Sequence, residues 1–274
     1  NAWGIPYASA MSGAKMVMPG ARMDGEALYE LMESEQVTVS AGVPTIWMML
    51  LAYMKENNKT FSSMKRTVIG GAAAPKAMIE TFEKEYNVNV VHAWGMTEMS
   101  PLGTACNLKK KHLDYSIDKK IDLSLKQGRA VYGVDMKIVD GAGNALPRDG
   151  KAFGNLLVRG PWITSGYFKG EGGDAVDEDN WFDTGDVATI DADGYMQITD
   201  RDKDVIKSGG EWISSIEIEN NALGCEGVAE AAVIGVPHPK WTERPLLIIV
   251  RQPGSHVGKD DVLAYLEGKI ADWW

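Results

Sequence analysis

The segment His92-Ala93-Trp94-Gly95-Met96-Thr97-Glu98-Met99-Ser100-Pro101 gathers residue types whose chemistry is complementary. Trp94 offers an aromatic plane, Gly95 leaves room beside it, the Thr97 hydroxyl can donate to an anionic oxygen, and the Glu98 carboxylate can hold a hard cation. A pocket for an aromatic base and a magnesium-bound phosphate needs these abilities together. Each residue also has a plain structural use: Trp94 as core, Thr97 as a cap, Glu98 as a solvated helix-start residue. Upstream, Gly70-Gly71-Ala72-Ala73-Ala74-Pro75 combines small side chains with free helix amides, which suits either a tight turn or a loop that cradles a base or phosphate. Downstream, Asp186 follows a Thr-Gly turn, where its carboxylate can accept from a ribose diol or close its own turn. Arg201, Lys203 and Lys207, beside Gly209-Gly210, can meet phosphate or carboxyl oxygens, while Asp202 and Asp204 equally permit a salt-bridged surface.

Other chemistries find no support. The four histidines lack zinc spacing, no Ser/His/Asp or Cys/His order stands out, and neither GxGxxG nor a Walker-type glycine-lysine motif occurs. The Asp191-Ala192-Asp193-Gly194 run lacks the spaced ligands of a calcium loop and reads as a hairpin turn. With 28 basic and 38 acidic residues the net charge is −10, which argues against a nucleic-acid partner or broad adsorption to anionic lipid. Two cysteines are too few for a disulfide framework and fit a reducing compartment, so a cytoplasmic location is expected. The uncharged stretch from Val37 to Met54 is interrupted by Pro44 and reads as strand, turn and helix rather than a membrane span.

These residues must be positioned by 274 residues of ordinary globular composition, 45% apolar and 24% charged. From Lys15 to Glu56 the pattern is strand (Ala14 to Gly20), helix, strand, helix. A second cycle runs through the strand before Gly70-Gly71, a helix after Pro75 and the strand ending at Trp94-Gly95. Such alternation predicts a parallel sheet with helices on both faces, whose ligands sit at the carboxyl ends of the strands. Further on, short strands punctuated by Asp-Gly turns predict antiparallel hairpins. The expected fold class is therefore α/β, with the parallel-sheet subdomain over about 1–125, a small antiparallel β subdomain over about 126–200, and an α+β unit over about 201–274. Within the last unit, Gly210 to Gly224 reads as helix, and a terminal helix is expected through Trp274.

As a set, these motifs resemble the adenylate-forming, AMP-binding acyl-CoA synthetases, especially the medium- and long-chain fatty acyl-CoA ligase branch. The resemblance rests on residues 1–20, Gly70 to Pro75, His92 to Pro101, Asn155 to Phe168, Trp181 to Asp191 and Asp200 to Asn220. It implies ATP-dependent activation of a carboxylic acid through acyl-AMP to acyl-CoA, with ATP, magnesium and CoA. Carried over by position, Trp3 is the gate of the acyl tunnel, which Gly95 also borders. Gly71 and Ala72 form the adenine-side loop, His92 and Ala93 lead into it, Trp94 stacks, and Gly95 and Met96 complete its edge. Thr97 meets phosphate, Glu98 holds magnesium, Asp186 binds ribose and Arg201 lies near it. Lys203 and Lys207 meet the adenylate at the domain junction, with Gly209 and Gly210 beside them, and Trp212 is an adenine neighbour.

The resemblance further implies a mobile, incomplete C-terminal domain. It implies an internal fragment, inactive alone, of a longer enzyme that supplies the phosphate loop and the catalytic lysine. A ligase for 3-methylmercaptopropionate or another short acid, and a noncatalytic nucleotide-binding fragment, stay open, as do a homodimer and peripheral membrane contact.

Overall fold

A computed structural model describes residues 2–201, 203–209 and 211–274. After helix α1 (Ile5–Ser12), the stretch from Ala14 to Gly20 is irregular, not the expected strand. Among the described residues its alternating apolar positions pair with no strand, and Met16 and Met18 are exposed. Helix α2 (Gly25–Ser34) begins where the Asp24 side chain accepts from the Ala27 amide at 2.9 Å, and it buries Leu28 and Met32. Strand β1 (Val39–Gly42) leads into α3 (Pro44–Glu56), which has Pro44 in its first turn and Trp47, Leu50 and Met54 on its buried face. There follow β2 (Arg66–Ile69), α4 (Lys76–Glu80), which continues as one π-type turn, β3 (Asn89–Gly95), β4 (Leu102–Ala105), α5 (Ile117–Ser124) and the short β5 (Arg129–Ala130).

These five strands form one sheet in sequence order, parallel through β3 and antiparallel beyond it. Its core joins α2 and α3 to α4 and α5, with Trp47 edge-on to Phe82 at 6.1 Å. The reversal after β3 follows from a tight chain path: a Cβ added at Gly95 would lie 1.9 Å from the Pro101 carbonyl oxygen. In register, Gly42, Ile69 and His92 are the last aligned residues of the three parallel strands, so the turn at Gly70-Gly71 and the end of β3 share one edge of the sheet.

The second sheet is an antiparallel meander of β6 (Asp135–Val139), β7 (Phe153–Arg159), β8 (Phe182–Ile190) and β9 (Met196–Arg201). Asp191 to Gly194 is the hairpin turn between β8 and β9; the Asp191 carboxylate accepts from the Asp193 and Tyr195 amides at 2.9 Å and from Lys126 at 2.6 Å. The third sheet contains β10 (Ile206–Ser208), β11 (Glu211–Ile213), and, after α6 (Ser215–Ala222), the long hairpin of β12 (Val228–His238) and β13 (Thr242–Arg251), followed by α7 (Lys259–Leu266). The segment expected to be helical from Gly210 thus opens as a strand, because Trp212 pairs with Lys207; the helix waits for the Ser214 cap. The terminal helix ends at Leu266, where extended Glu267 and Gly268 at φ +69° turn the chain away.

Two packed positions give measurable consequences. Gly128 (φ +97°) exchanges backbone hydrogen bonds with Met196 and so ties the first sheet to the second. A Cβ there would lie 2.2 Å from Ala105 C and Cys106 N, so Gly128→Ala is expected to cost about 2–4 kcal/mol in chemical denaturation, through strain and overpacking. His92, 1% exposed between β3 and α5, has its Nδ1 3.1 Å from the Leu125 carbonyl. Burial pulls its pKa down from 6.5 to about 4, opposed by neighbouring carbonyls, Leu125 first. The unfolded chain therefore takes up this proton first on acidification. The contribution to stability is complete above pH 6.5 and is lost as pH falls toward about 4. Urea midpoints should fall less with acidification in His92→Gln than in the wild type; identical slopes would contradict this.

Candidate functional site

The carboxyl edge of the parallel strands opens into two adjoining cavities. The first, ≈ 590 Å³, lies between that edge and the second sheet, with Gly71, Ala72, His92, Trp94, Asp186 and Arg201 on its wall. Glu219 and Asn220 of α6 and Ala229 at the start of β12 face it from the third sheet's unit. The second, ≈ 570 Å³, has no charged side chain in its described lining and is bordered by Trp3, Ile5, Gly70, Thr97 and Leu102. Ala93, Trp94, Gly95 and Met96 border both, as does Gly71, so the end of β3 is the partition.

The partition is held by glycine positions. Gly71 takes φ +81°, a conformation that costs glycine little, and lets the Trp3 ring approach the turn. Trp94 is 8% exposed, because Gly103 and Met99 close on its six-membered ring: a Cβ at Gly103 would lie 2.5 Å from Trp94 Cζ3. The ring is therefore a built-in wall and not a free plane on the surface.

From this wall the Trp94 indole Nε1–H donates to Asp186 Oδ2 at 2.9 Å, across 92 positions of sequence. Arg201 Nε lies 3.0 Å from Asp186 Oδ1. Asp186 is 4% exposed, and burial raises its pKa, opposed by the Arg201 charge and the Trp94 hydrogen bond and reinforced by Asp183. A buried carboxylate with two directed donors is suited to accept from hydroxyl groups brought into the same space.

His92 contributes a second polar edge to the first cavity. The carbonyl at Leu125 can only accept, so Nδ1 carries a proton, while Nε2 makes no hydrogen bond among the described residues. Beyond the partition, Thr97 opens a short 3₁₀ turn and is exposed, while Glu98 is half-buried. Tyr167 Oη donates to Glu98 Oε1 at 3.1 Å, and the Thr164 amide donates to the Glu98 carbonyl at 2.8 Å. Among the described residues no group of three or more His, Cys, Asp or Glu side chains converges on a metal position. One carboxylate fits magnesium carried in by nucleotide phosphates, since that ion commonly uses one or two protein carboxylates besides phosphate and water.

Of the residues singled out in the sequence, the structure thus brings Gly71, Ala72, His92, Ala93, Trp94, Gly95, Met96, Asp186 and Arg201 to one cavity. Trp3 and Thr97 stand at the adjoining one, with Glu98 next in the chain. The others lie apart from both linings. Lys203 is exposed in the turn after β9. Lys207 Nζ sits 5.7 Å from the Trp212 ring centroid, Trp212 packs on Phe153 at 5.4 Å, and Gly209 lies against Trp241. Gly210 falls outside the described residues.

Two contributors escaped the reading by sequence. Tyr167 lay in a quoted motif, but its partner Glu98 is 69 positions away. Asp200 anchors the roof: it accepts from the Ser215 amide at 2.7 Å and Ser215 Oγ at 3.1 Å, while Ser214 Oγ donates to the Thr199 carbonyl. The pattern Ser214-Ser215-Ile216-Glu217 is the S-x-x-E signature of a helix start and marks this junction.

The profile of the AMP-binding enzyme family matches residues 1–168, and that of the AMP-binding enzyme C-terminal domain matches residues 217–274. The chain is 54% identical over 273 residues to 3-methylmercaptopropionyl-CoA ligase of Ruegeria lacuscaerulensis, covering 100% of this chain and 50% of that protein. It is 50% identical over the same length to a medium-chain-fatty-acid–CoA ligase of Ectopseudomonas oleovorans, again covering 100% and 50%. Among solved structures, the o-succinylbenzoate CoA synthetase of Bacillus subtilis in complex with its acyl-adenylate intermediate superposes with a TM-score of 0.79 at 25% identity, over 97% of this chain and 51% of that one. The chain spans about half the length of the curated relatives it matches. With the first profile matching more than half of the chain and the second the unit that faces the cleft, the chain belongs to the AMP-binding enzyme family.

Proposed function

We propose that the full-length protein is an AMP-forming acid–CoA ligase that takes 3-methylmercaptopropionate or another short acid in preference to medium- or long-chain fatty acids. The observation that carries the ligase reading is the pair of cavities sharing one wall: a cleft with the charged side chains of Asp186 and Arg201 beside a pocket whose described lining, with Trp3 and Leu102, holds no charged side chain. A reaction joining an acid to a nucleotide needs the two held edge to edge. The short thioether acid is supported by the 54% identity to a ligase of that acid, against 50% for the medium-chain enzyme.

In this reading the acid's carboxylate oxygen attacks the α-phosphorus of ATP and pyrophosphate leaves; the CoA thiol sulfur then attacks the acyl carbon and AMP leaves. Asp186 accepts from the ribose hydroxyls, and the Thr97 hydroxyl donates to an anionic oxygen. Glu98, steadied by Tyr167, would hold magnesium, which supplies charge neutralisation on the phosphates. Lys203 and Lys207 stand off the cleft in this arrangement, so their contact with an adenylate requires the segment after Arg201 to rotate. Burial pushes the Cys106 thiol up to about 12, opposed by Lys126 and Arg129, and Cys106 is in the lining of neither cavity.

Thioester formation by the full-length protein with 3-methylmercaptopropionate, octanoate and palmitate tests the acid assignment. The highest kcat/KM is expected for the thioether acid, and a preference for either fatty acid would overturn that choice. Asp186→Ala is expected to raise KM for ATP about ten- to a hundredfold, the worth of one lost charge-assisted hydrogen bond. An unchanged KM would contradict the assigned nucleotide cleft.

A further inference from the structure

The bond between Trp94 and Asp186 asks more of residue 94 than an aromatic plane. Any aromatic ring packs against a base, but at this position the indole supplies an N–H that reaches a buried carboxylate in the second sheet. We propose that Trp94 is a positioning residue: its Nε1–H pins Asp186 Oδ2 so that the remaining acceptor capacity of the carboxylate faces the ribose diol. This rests on the reading of Asp186 as the ribose contact.

The two donors on Asp186 differ in kind. Trp94 is immobilised by Gly103 and Met99 and by the pairing of β3 with β4, where it faces Thr104. The indole N–H neither titrates nor swings. The Arg201 side chain is 58% exposed at the end of β9, on a flexible stem, so its grip on Oδ1 is loosened by solvent and can yield to an incoming hydroxyl. Among the described residues no other side chain or backbone group donates to the Asp186 carboxylate. The fixed donor sets the carboxylate plane, and the mobile one leaves an acceptor oxygen for the ligand. Losing the N–H would leave the ring's packing intact while freeing the carboxylate to turn.

The test compares dissociation constants for ATP and 2′,3′-dideoxy-ATP in the full-length protein, its Trp94→Phe and Asp186→Asn variants, and a protein carrying 3-benzothienylalanine at position 94. That residue keeps the indole shape without the N–H, and so answers the question even where the smaller phenyl ring unsettles the fold. The wild type should prefer ATP. The benzothienyl protein, and Trp94→Phe where folded, should lose about tenfold of that preference through weaker ATP binding, with dideoxy-ATP binding unchanged. Asp186→Asn should lose it as well. If Asp186→Asn loses the preference and the benzothienyl protein keeps it, the positioning role is wrong and the ribose reading stands. If Asp186→Asn keeps the preference, the ribose reading itself fails and the positioning role falls with it.

Discussion

A carboxylate removed from water and held by two donors organises this structure. Burial of an ionised carboxyl group costs several kcal/mol unless directed hydrogen bonds replace its hydration. At Asp186 those bonds come from β3 of the first sheet, through Trp94, and from the end of β9 in the second sheet, through Arg201. Because Asp186 stands on β8, its Trp94 bond spans the two sheets and joins the Gly128–Met196 pairing in tying them together. The same demand recurs next door at Asp200, whose pKa burial raises and whose bonds to Ser215 and the Arg201 amide oppose the shift. Adjacent residues at the end of one strand thus set both the floor of the cleft, through Arg201, and the seat of the helix that faces it, through Asp200.

The close approach of backbones makes the rest of the site. Gly95 cannot carry a side chain beside Pro101, Gly103 cannot beside Trp94, and Gly71 turns through a left-handed conformation. These three positions thin the partition at the end of β3 until both cavities touch the same residues. A thin shared wall suits a reaction between two bound groups better than two separate pockets would, because it lets their reacting atoms come within bonding reach.

Much of this was legible in the order of residues because the signals were local. Pro44 separating a strand from a helix, the glycine turn after β2, the Asp-Gly hairpin turn at 191–194 and the alternation of strands and helices each act over a few positions. Trp94, Glu98 and Asp186 stood out as candidates for the same reason, by residue type beside a local turn. What lay beyond reach was relational. Nothing near Trp94 indicates that its N–H meets a carboxylate 92 positions on, or that Glu98 meets Tyr167. Ala14 to Gly20 has the alternation of a strand, yet pairing requires a neighbour that no local pattern can supply. Lys203, Lys207 and Trp212 carry the right chemical types, but Lys203 is exposed in the turn after β9, and the pairing of β10 with β11 sets Lys207 over the Trp212 ring and Trp212 against Phe153, outside the lining of the cavity.

The central claim, that Asp186 receives the sugar of a nucleotide held between Trp94 and the loop at Gly71, is tested most directly by a crystal structure of the full-length protein with a non-hydrolysable acyl-adenylate analogue. The account predicts both ribose hydroxyl oxygens within about 3.2 Å of the Asp186 carboxylate, with the acyl chain past Gly95 toward Trp3. An analogue bound with its ribose turned away from Asp186 while the Trp94 and Arg201 contacts persist would contradict it.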